Sequence, residues 1–489
     1  MTNQNKWEAI IGLEIHVELN TKTKLFSRAP NRFGDEPNTN ITEVCTGEPG
    51  ALPVLNRAAV HKAVAFGCAV NAEVAHFSKF DRKSYFYPDN PRNFQITQFD
   101  QPIVLGGEIV TEVDGKEKTF KIDRAHLEDD AGTLRHFSSF VGVDYNRAGV
   151  PLLEIVSEPC LHSAKDAIAY AMMVRSIMQY VDASDCNMEE GSLRIDANIS
   201  VRKFGEETLR NKTEIKNMNS FNFMGIAIDA EIKRQIHEYE INTDKNIEDV
   251  IEQATYRWDP EKMAIQMMRL KESADDYRYF PEPDLLPIVL TDEYIESIRS
   301  KLPELPYKRN IRYIKELKLS HKNAEFLTND KTLADYFEEG LKYCKNAKSL
   351  CNWIIVEFSG RLKDTGKTIL DTDISSKSIA ELVNLIDDGT ITGKIAKAVA
   401  DDMMADSTKT ALEIVKANPD YQPMDNHGEL ERFVDEAISK NHQAIVDYKN
   451  GRDRALGAIV GQVMKQTRGK ASPKIVNKIL LEKIENYEV

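Results

Sequence analysis

Several things are scarce in this 489-residue sequence, and each scarcity excludes a class of protein. Six cysteines (Cys45, Cys68, Cys160, Cys186, Cys344 and Cys351) are few for the length and form no C-x-x-C pair, which excludes a disulfide scaffold and a sequence-evident zinc site. No apolar run approaches the ~18 residues that a membrane span needs, and the polar start MTNQNKWEA lacks the apolar core of a secretion signal, so a cytoplasmic protein is expected. The nucleotide and hydrolase fingerprints G-x-G-x-x-G, H-E-x-x-H and G-x-S-x-G are missing. The nearest approach to a phosphate loop, Gly360 to Thr368, has five residues between its glycines instead of four and follows a helical pattern, not a strand. Net positive charge is absent too: at −14, the chain has no global attraction to nucleic acid.

What is present is an ordinary globular composition, 42% hydrophobic and 29% charged, at a length that suits two to four domains. The charge is unevenly placed. The last fifty residues carry a local excess of cations, which fits either a tail that touches phosphate or a solvated helix face.

The first ~290 residues alternate with period two in several places. Ile11, Leu13, Ile15, Val17 and Leu19 fall on one face of a strand, with Glu14, His16 and Glu18 on the other. Residues 193–201 repeat the device, setting Arg194, Asp196, Asn198 and Ser200 opposite an apolar row. Arg124, His126 and Glu128 share one side of a third candidate strand, and Lys212, Glu214 and Lys216 one side of a fourth. Helical spacing is expected between them, over Ala164–Tyr180 and 225–238. A proline-rich run at 280–306 then marks a boundary, and short amphipathic helices follow to the end, with a softer break at 418–423. The expected organisation is an α+β body over 1–292, an all-helical domain over 293–417 and a basic helical tail over 418–489. Ser375-Ser-Lys-Ser378 is read as a helix N-cap rather than a nucleophile, and Trp353 and Phe358 as helical core.

The polar stripes are the candidate chemistry. Alternate residues on a strand sit ~6.8 Å apart and point the same way, so neighbouring stripes would line one sheet face with carboxylates, imidazoles and cations. Such a face suits a hard divalent cation and the phosphates it carries. An antiparallel sheet with one side in water produces the same alternation. Glu128-Asp-Asp130 and Glu154, beside Arg124, His126 and Arg147, add acid density of a kind that a site needs. The run from Lys79 to Asn90 mixes four aromatics with three cations, which suits RNA stacking or a packed loop equally.

These residues carry a resemblance. IGLEIHVELNTKTKLFS (11–27), KSYFYPDNPRNFQITQFDQPI (83–103), HLEDDAGTLRH (126–136) and YNRAGVPLLEIVSEP (145–159) are similar to blocks of the B-subunit family of tRNA-dependent amidotransferases. The similarity continues in order through MEEGSLRIDANISVR (188–202), TEIKNMNSF (213–221), DYRYFPEPDLLP (276–287) and the tail block LGAIVGQVMKQTRGKASPKIVNKIL (456–480). The resemblance implies a glutamine-synthetase-like sheet cradle, then an all-helical domain and a YqeY-like helical tail. It implies a protein that uses ATP and Mg²⁺ to phosphorylate the side-chain carboxylate of misacylated Glu-tRNA(Gln), and often Asp-tRNA(Asn). Ammonia from an amidase partner, the A subunit, then makes the amide, with a small C subunit clamping the assembly. It places metal binding and catalysis at Glu14, His16, Glu128 and Glu154, and sets Lys83 against phosphate or the activated carboxylate. Arg194 and Asp196 would line the same cavity, and Lys465, Arg468, Lys470 and Lys474 would hold tRNA. Imidazole suits softer metals than Mg²⁺, so His16 has a second option, orienting a metal-bound water. Many relatives carry a C-x-x-C pair where this chain reads Thr42-Glu-Val-Cys45, so zinc is not expected here. A tRNA-binding scaffold without catalysis, and a ligase acting alone on a small acid, are the alternative readings.

Overall fold

A computed structural model describes residues 6–270, 277–421, 427–449, 452–467 and 469–485. The chain divides into two compact units, Met1–Arg309 and Asn310–Val489. The first is α+β and the second helical.

The first unit is built on a ten-stranded sheet. Its strands in chain order are β1 (Trp7–Glu18), β2 (Glu73–Val74), β3 (Val104–Leu105), β4 (Glu108–Val113), β5 (Lys116–Asp129), β6 (Pro151–Ser157), β7 (Leu193–Lys203), β8 (Thr213–Lys216), β9 (Ala254–Asp259) and β10 (Ala264–Leu270). They lie in the order β10-β9-β8-β7-β1-β6-β5-β3-β2, with β4 hairpinned onto β5. β8 and β9 run parallel, and the other paired neighbours run antiparallel.

Period-two patterning decides which face is which. Ile11, Leu13, Ile15 and Val17 of β1 are buried with Leu193, Ile195, Ala197 and Ile199 of β7 in one core. Three helices supply the rest of that core: α1 (Arg57–Ala69), α2 (Ala164–Tyr180) and α3 (Phe221–Ile241). Each starts at a side-chain cap, Asn56, Ser163 and Ser220, which accepts from a backbone N–H of the first turn. A further helix, α4 (Asp292–Arg299), puts Ile295 and Ile298 into the same core, so the first unit continues past the proline-rich run. The opposite sheet face, left by the helices, carries the charged stripes.

A small three-stranded sheet stands at the edge of that face. It pairs Asp81–Ser84 with Phe94–Thr97 on one side and Phe280–Pro281 on the other. Arg82 ties it together, donating to Glu282 at 2.7 Å and lying over the Phe94 ring at 4.3 Å. The segment of mixed aromatics and cations is therefore partly packed, while Phe86 and Tyr87 remain exposed.

In the second unit, Trp353 and Phe358 are buried, within a π-helical stretch Trp353–Phe358. Ser375 caps the helix Ser376–Asp387 by accepting from Ser378 N, which accounts for the serine–lysine cluster without chemistry. Gly360 lies inside the helix Ser359–Leu362, so no strand leads into the glycine–lysine run. The described tail residues have an apolar core of their own, from Leu430 to Ile484. Among the described residues, no helix is long and apolar enough to cross a membrane.

Candidate active site

The register of six adjacent strands, β5 through β6, β1, β7 and β8 to β9, assembles the site in rows. Across β6, β1 and β7, Val156, Glu14 and Asp196 stand side by side. The next row runs His126, Glu154, His16, Arg194 from β5 to β7. Beyond it come Glu128, Leu152 and Glu18. On the other side of Glu14, the row is Gly12, Asn198, Glu214 and Thr255, reaching β9. Strands in a sheet are ~4.8 Å apart, so acids of adjacent strands in a row meet at ligand distance.

Among the described residues, two groups of side chains with the chemistry to ligate a metal result. His16, Glu128 and Glu154 offer atoms within 4.8 Å of one another, and so do Glu14, Asp196 and Glu214. In the first, Glu154 Oε2 sits 3.4 Å from His16 Nε2 and 3.2 Å from His126 Nε2. Burial alone would raise the Glu154 carboxyl, but the two imidazoles outweigh it and hold it well below the usual range. For His16, burial pulls the imidazole down and Glu154 more than restores it, leaving a net upward shift. The second group is all carboxylate, the donor set that a hard cation prefers. Asn198 donates to Glu14 Oε1 at 2.9 Å and Thr255 to Glu214 Oε2 at 2.9 Å, which fixes both carboxylates without neutralising them.

Cations surround the acids. Lys83, from the small sheet, stands 3.5 Å from Glu128 Oε2 and 5.3 Å from the Tyr277 ring centre. Burial disfavours its ammonium, yet Glu128 and Glu154 shift it upward overall, so it remains charged. Lys216 reaches Asp196 at 2.5 Å and Glu214 at 3.1 Å. Arg194 donates to Asp130 at 2.6 Å, and Arg147 lies 3.4 Å from the same carboxylate. Glu128 itself accepts from Gln95 at 3.1 Å. Asp129, by contrast, turns to the other side of β5, where Arg92 and the Ile96 N–H hold it.

The face opens into adjoining cavities. One of about 360 Å³ is lined by Glu14, His16, Lys83, Glu128 and Glu154 and walled by Phe99, Tyr277 and Tyr279. Phe99 and Tyr279 stack there, ring centres 4.1 Å apart. A second, about 610 Å³, shares His16, Lys83 and Glu128 and adds Arg194, Asp196 and Asp130. All seven expected residues of the cradle thus meet on one face. Glu214, Lys216, His126 and the tyrosine pair belong to it as well. The alternating stripes at 212–216 and 124–128 signalled Glu214, Lys216 and His126; the tyrosines lie in the family-like block 276–287, but no periodicity placed them at the site.

The single Cys45 is buried against Lys24, whose Nζ lies 3.8 Å from its Sγ and donates to the carbonyls of Tyr145 and Ala148. Of the expected tail cations, Lys465 is exposed on the helix Leu456–Gln466 and Lys470 pairs with Asp420 at 2.8 Å. Arg468 lies outside the described residues, and Lys474 is described only as a position in the helix Pro473–Glu485.

Known proteins share both the cradle and the helical region. Residues 9–296 match the GatB/GatE catalytic domain, and residues 335–484 match the family described as GatB domain. A relative from Protochlamydia amoebophila (strain UWE25), named as the B subunit of aspartyl/glutamyl-tRNA(Asn/Gln) amidotransferase, is 65% identical over 99% of this chain and 98% of its own length. Relatives of the same name from Chlamydia pneumoniae and Chlamydia muridarum (strain MoPn / Nigg) are 58% and 56% identical, covering 98% and 97% of this chain and 98% of each relative. The chain belongs to the B-subunit family of the aspartyl/glutamyl-tRNA(Asn/Gln) amidotransferases, ligases that serve protein synthesis.

Proposed function

We propose that this chain uses ATP to phosphorylate the side-chain carboxylate of Glu-tRNA(Gln), Asp-tRNA(Asn) or both, and then hosts amidation of the product. The observation that supports this best is the pair of ligand groups on one sheet face, His16–Glu128–Glu154 and Glu14–Asp196–Glu214, with Lys83, Lys216 and Arg194 around them. Acids and cations so placed fit a polyphosphate brought in with divalent metal.

The chemistry needs what these residues supply. A carboxylate is a poor acyl donor, so one of its oxygens attacks the γ-phosphorus and the bond to the ADP oxygen breaks. Ammonia then attacks the acyl carbon, inorganic phosphate departs and the nitrogen sheds a proton. Mg²⁺ would be held by Glu14, Asp196, Glu214, Glu128 and Glu154, with His16 as ligand or water-orienting group, and it would neutralise phosphate charge. Lys83 and Lys216, kept protonated by their acidic neighbours, stabilise the charge that spreads over the transferring group. Arg194, fixed by Asp130, stands where the acceptor carboxylate would enter.

Ammonia would come from an amidase partner, the A subunit, with a small C subunit completing a heterotrimer in the cytoplasm. We divide the chain into a catalytic cradle, whose compact unit runs on to Arg309 instead of ending at 292 as expected, a helical domain up to 417 and a tail (418–489) that holds the tRNA body, the separate tail core supporting the last boundary. The test is reconstitution with the amidase and the small partner, ATP, Mg²⁺, ammonia and each misacylated tRNA. Amide product is expected with wild type and not with Glu14→Gln. Equal product from both would remove the chemistry from this face, and product from neither, with tRNA still bound, would leave a scaffold.

A further inference from the structure

Carboxylates line the cavity of about 610 Å³, and the chain answers most of the inner ones with a cation. Lys83 meets Glu128, Arg194 meets Asp130 and Lys216 meets Asp196. Glu189 and Glu190 are exposed to water. Asp89 is different. It is half-buried, has no ion-pair partner among the described residues, and its Oδ1 is buried without a hydrogen-bond donor. Burial pushes its carboxyl above the ordinary value, against the pull of its own backbone N–H and of Arg147.

The backbone around Asp89 is fixed. It lies in the loop that joins the strands Asp81–Ser84 and Phe94–Thr97 of the small sheet, the sheet that also brings Lys83 to the face. Asn90 braces this loop by donating from its side chain to the Tyr85 carbonyl at 2.9 Å, and the Tyr145 hydroxyl donates to the Pro88 carbonyl at 3.0 Å. Gly132 N donates to the Asp89 carbonyl at 2.7 Å. That approach requires glycine, since a Cβ on Gly132 would come within 3.0 Å of the Asp89 carbonyl and 2.9 Å of the Asp144 carbonyl. The protein thus holds firmly a carboxylate that it leaves unpaired. A buried acceptor without a donor opposes folding, and a donor from outside the chain would remove that cost.

We infer that Asp89 receives the α-ammonium of the aminoacyl ester, an inference that rests on the phosphoryl-transfer reading above. The same cavity holds a matching orphan: Arg194 Nε is buried with no acceptor, although Nη2 of that side chain donates to Asp130. An aminoacyl ester with an acidic side chain carries one charge of each sign a few bonds apart. Its carboxylate suits Arg194 and its ammonium suits Asp89, both through charge-assisted hydrogen bonds. Acylating the nitrogen removes its charge and two of its N–H donors, so this contact would select free aminoacyl esters over N-acylated ones. Free ammonium offers the same cationic N–H groups, and rates measured with ammonia as the varied substrate separate the two sources.

The experiment uses the full chain assembled with its partners, as wild type and Asp89→Asn, supplied with ATP, Mg²⁺ and ammonia. Single-turnover rates are measured against the concentration of misacylated tRNA and of the same tRNA acetylated at its α-nitrogen. Wild type is expected to use the free ester about ten- to a hundredfold more efficiently than the acetylated one. Asp89→Asn should lose that preference by declining on the free ester alone, with its affinity for Mg·ATP, read by calorimetry, unchanged. Wild type without the preference would overturn the inference, and that comparison does not depend on the variant folding. An equal decline on both esters in the variant would overturn it too. So would an intact preference with a raised KM for ammonia, which would give Asp89 to the nitrogen donor. Amide from neither ester with wild type, tRNA still bound, would overturn the phosphoryl-transfer reading itself, and this inference with it.

Discussion

Charges in the two units of this protein are organised in opposite ways. In the helical unit the ion pairs include many within one turn: Lys331 with Asp335, Lys440 with Glu436 and Lys409 with Asp406, all well exposed. Pairs of that kind contribute about 0.2–1 kcal/mol and are screened by salt. In the sheet unit, His16, His126 and Glu154 come from three strands and are largely buried, and Lys83 meets Glu128 across 45 residues. Gathering acids away from water opposes folding unless cations accompany them. A surface helix needs its charges for solubility, whereas this face holds them in fixed pairs drawn from distant segments and largely away from water.

The comparison can be broken by substitution. Glu14→Gln should lower amide formation by about 10³-fold or more without changing tRNA affinity, whereas Glu436→Gln in the helical unit should leave the rate unchanged. Single-turnover assays on both variants decide it. Beneath the face, Ile15→Ala removes a fully buried side chain and should destabilise the sheet unit by about 2–5 kcal/mol, read from urea unfolding. Lys83→Met should lower the rate by about 10²-fold, since the ammonium stabilises transferring charge, and should also destabilise the sheet unit, since it leaves the buried Glu128 without its cation.

A smaller effect sharpens the electrostatics. His16 is raised by Glu154 against the pull of burial. Its protonated form therefore stabilises the fold fully below the ordinary imidazole value of 6.5, and that contribution is lost as pH climbs through the raised value. In Glu154→Gln, the metal-free chain should show the His16 ring titrating at lower pH by NMR, with the stability loss on raising pH through that range abolished. An unmoved titration would mean that another group holds the imidazolium. The smallest effect belongs to the tail: each phosphate contact removed there, by Lys465→Ala for example, should reduce the log–log salt slope of tRNA binding by ~0.7–0.9. An unchanged slope would make Lys465 another solvated charge of the helical unit.

Much of the cradle was legible because β structure writes itself into sequence with period two. The stripes Glu14–His16–Glu18 and Arg194–Asp196–Asn198 lie on strands as expected, β1 and β7, with their apolar partners in the core. The same rule hid what mattered next. Alternation tells which side a residue faces but not which strand lies beside it, so Glu214 could not be joined to Glu14 and Asp196 from their positions in the chain. Tyr277 and Tyr279 were equally hidden, since their place against Lys83 depends on the strand Phe280–Pro281 pairing with one about 200 residues earlier.

The sequence by itself determined the alternation of the strands, the capped amphipathic helices, the shift from mixed to helical structure, and the motif blocks that mark the family. These are local properties, set by side-chain period, capping and backbone preference. Only the tertiary structure decided the strand order and register, and with them the two acidic groups and the cations around them. Those depend on pairings between distant segments, which hydrogen-bonded ladders and burial of a shared core fix together and no local rule encodes.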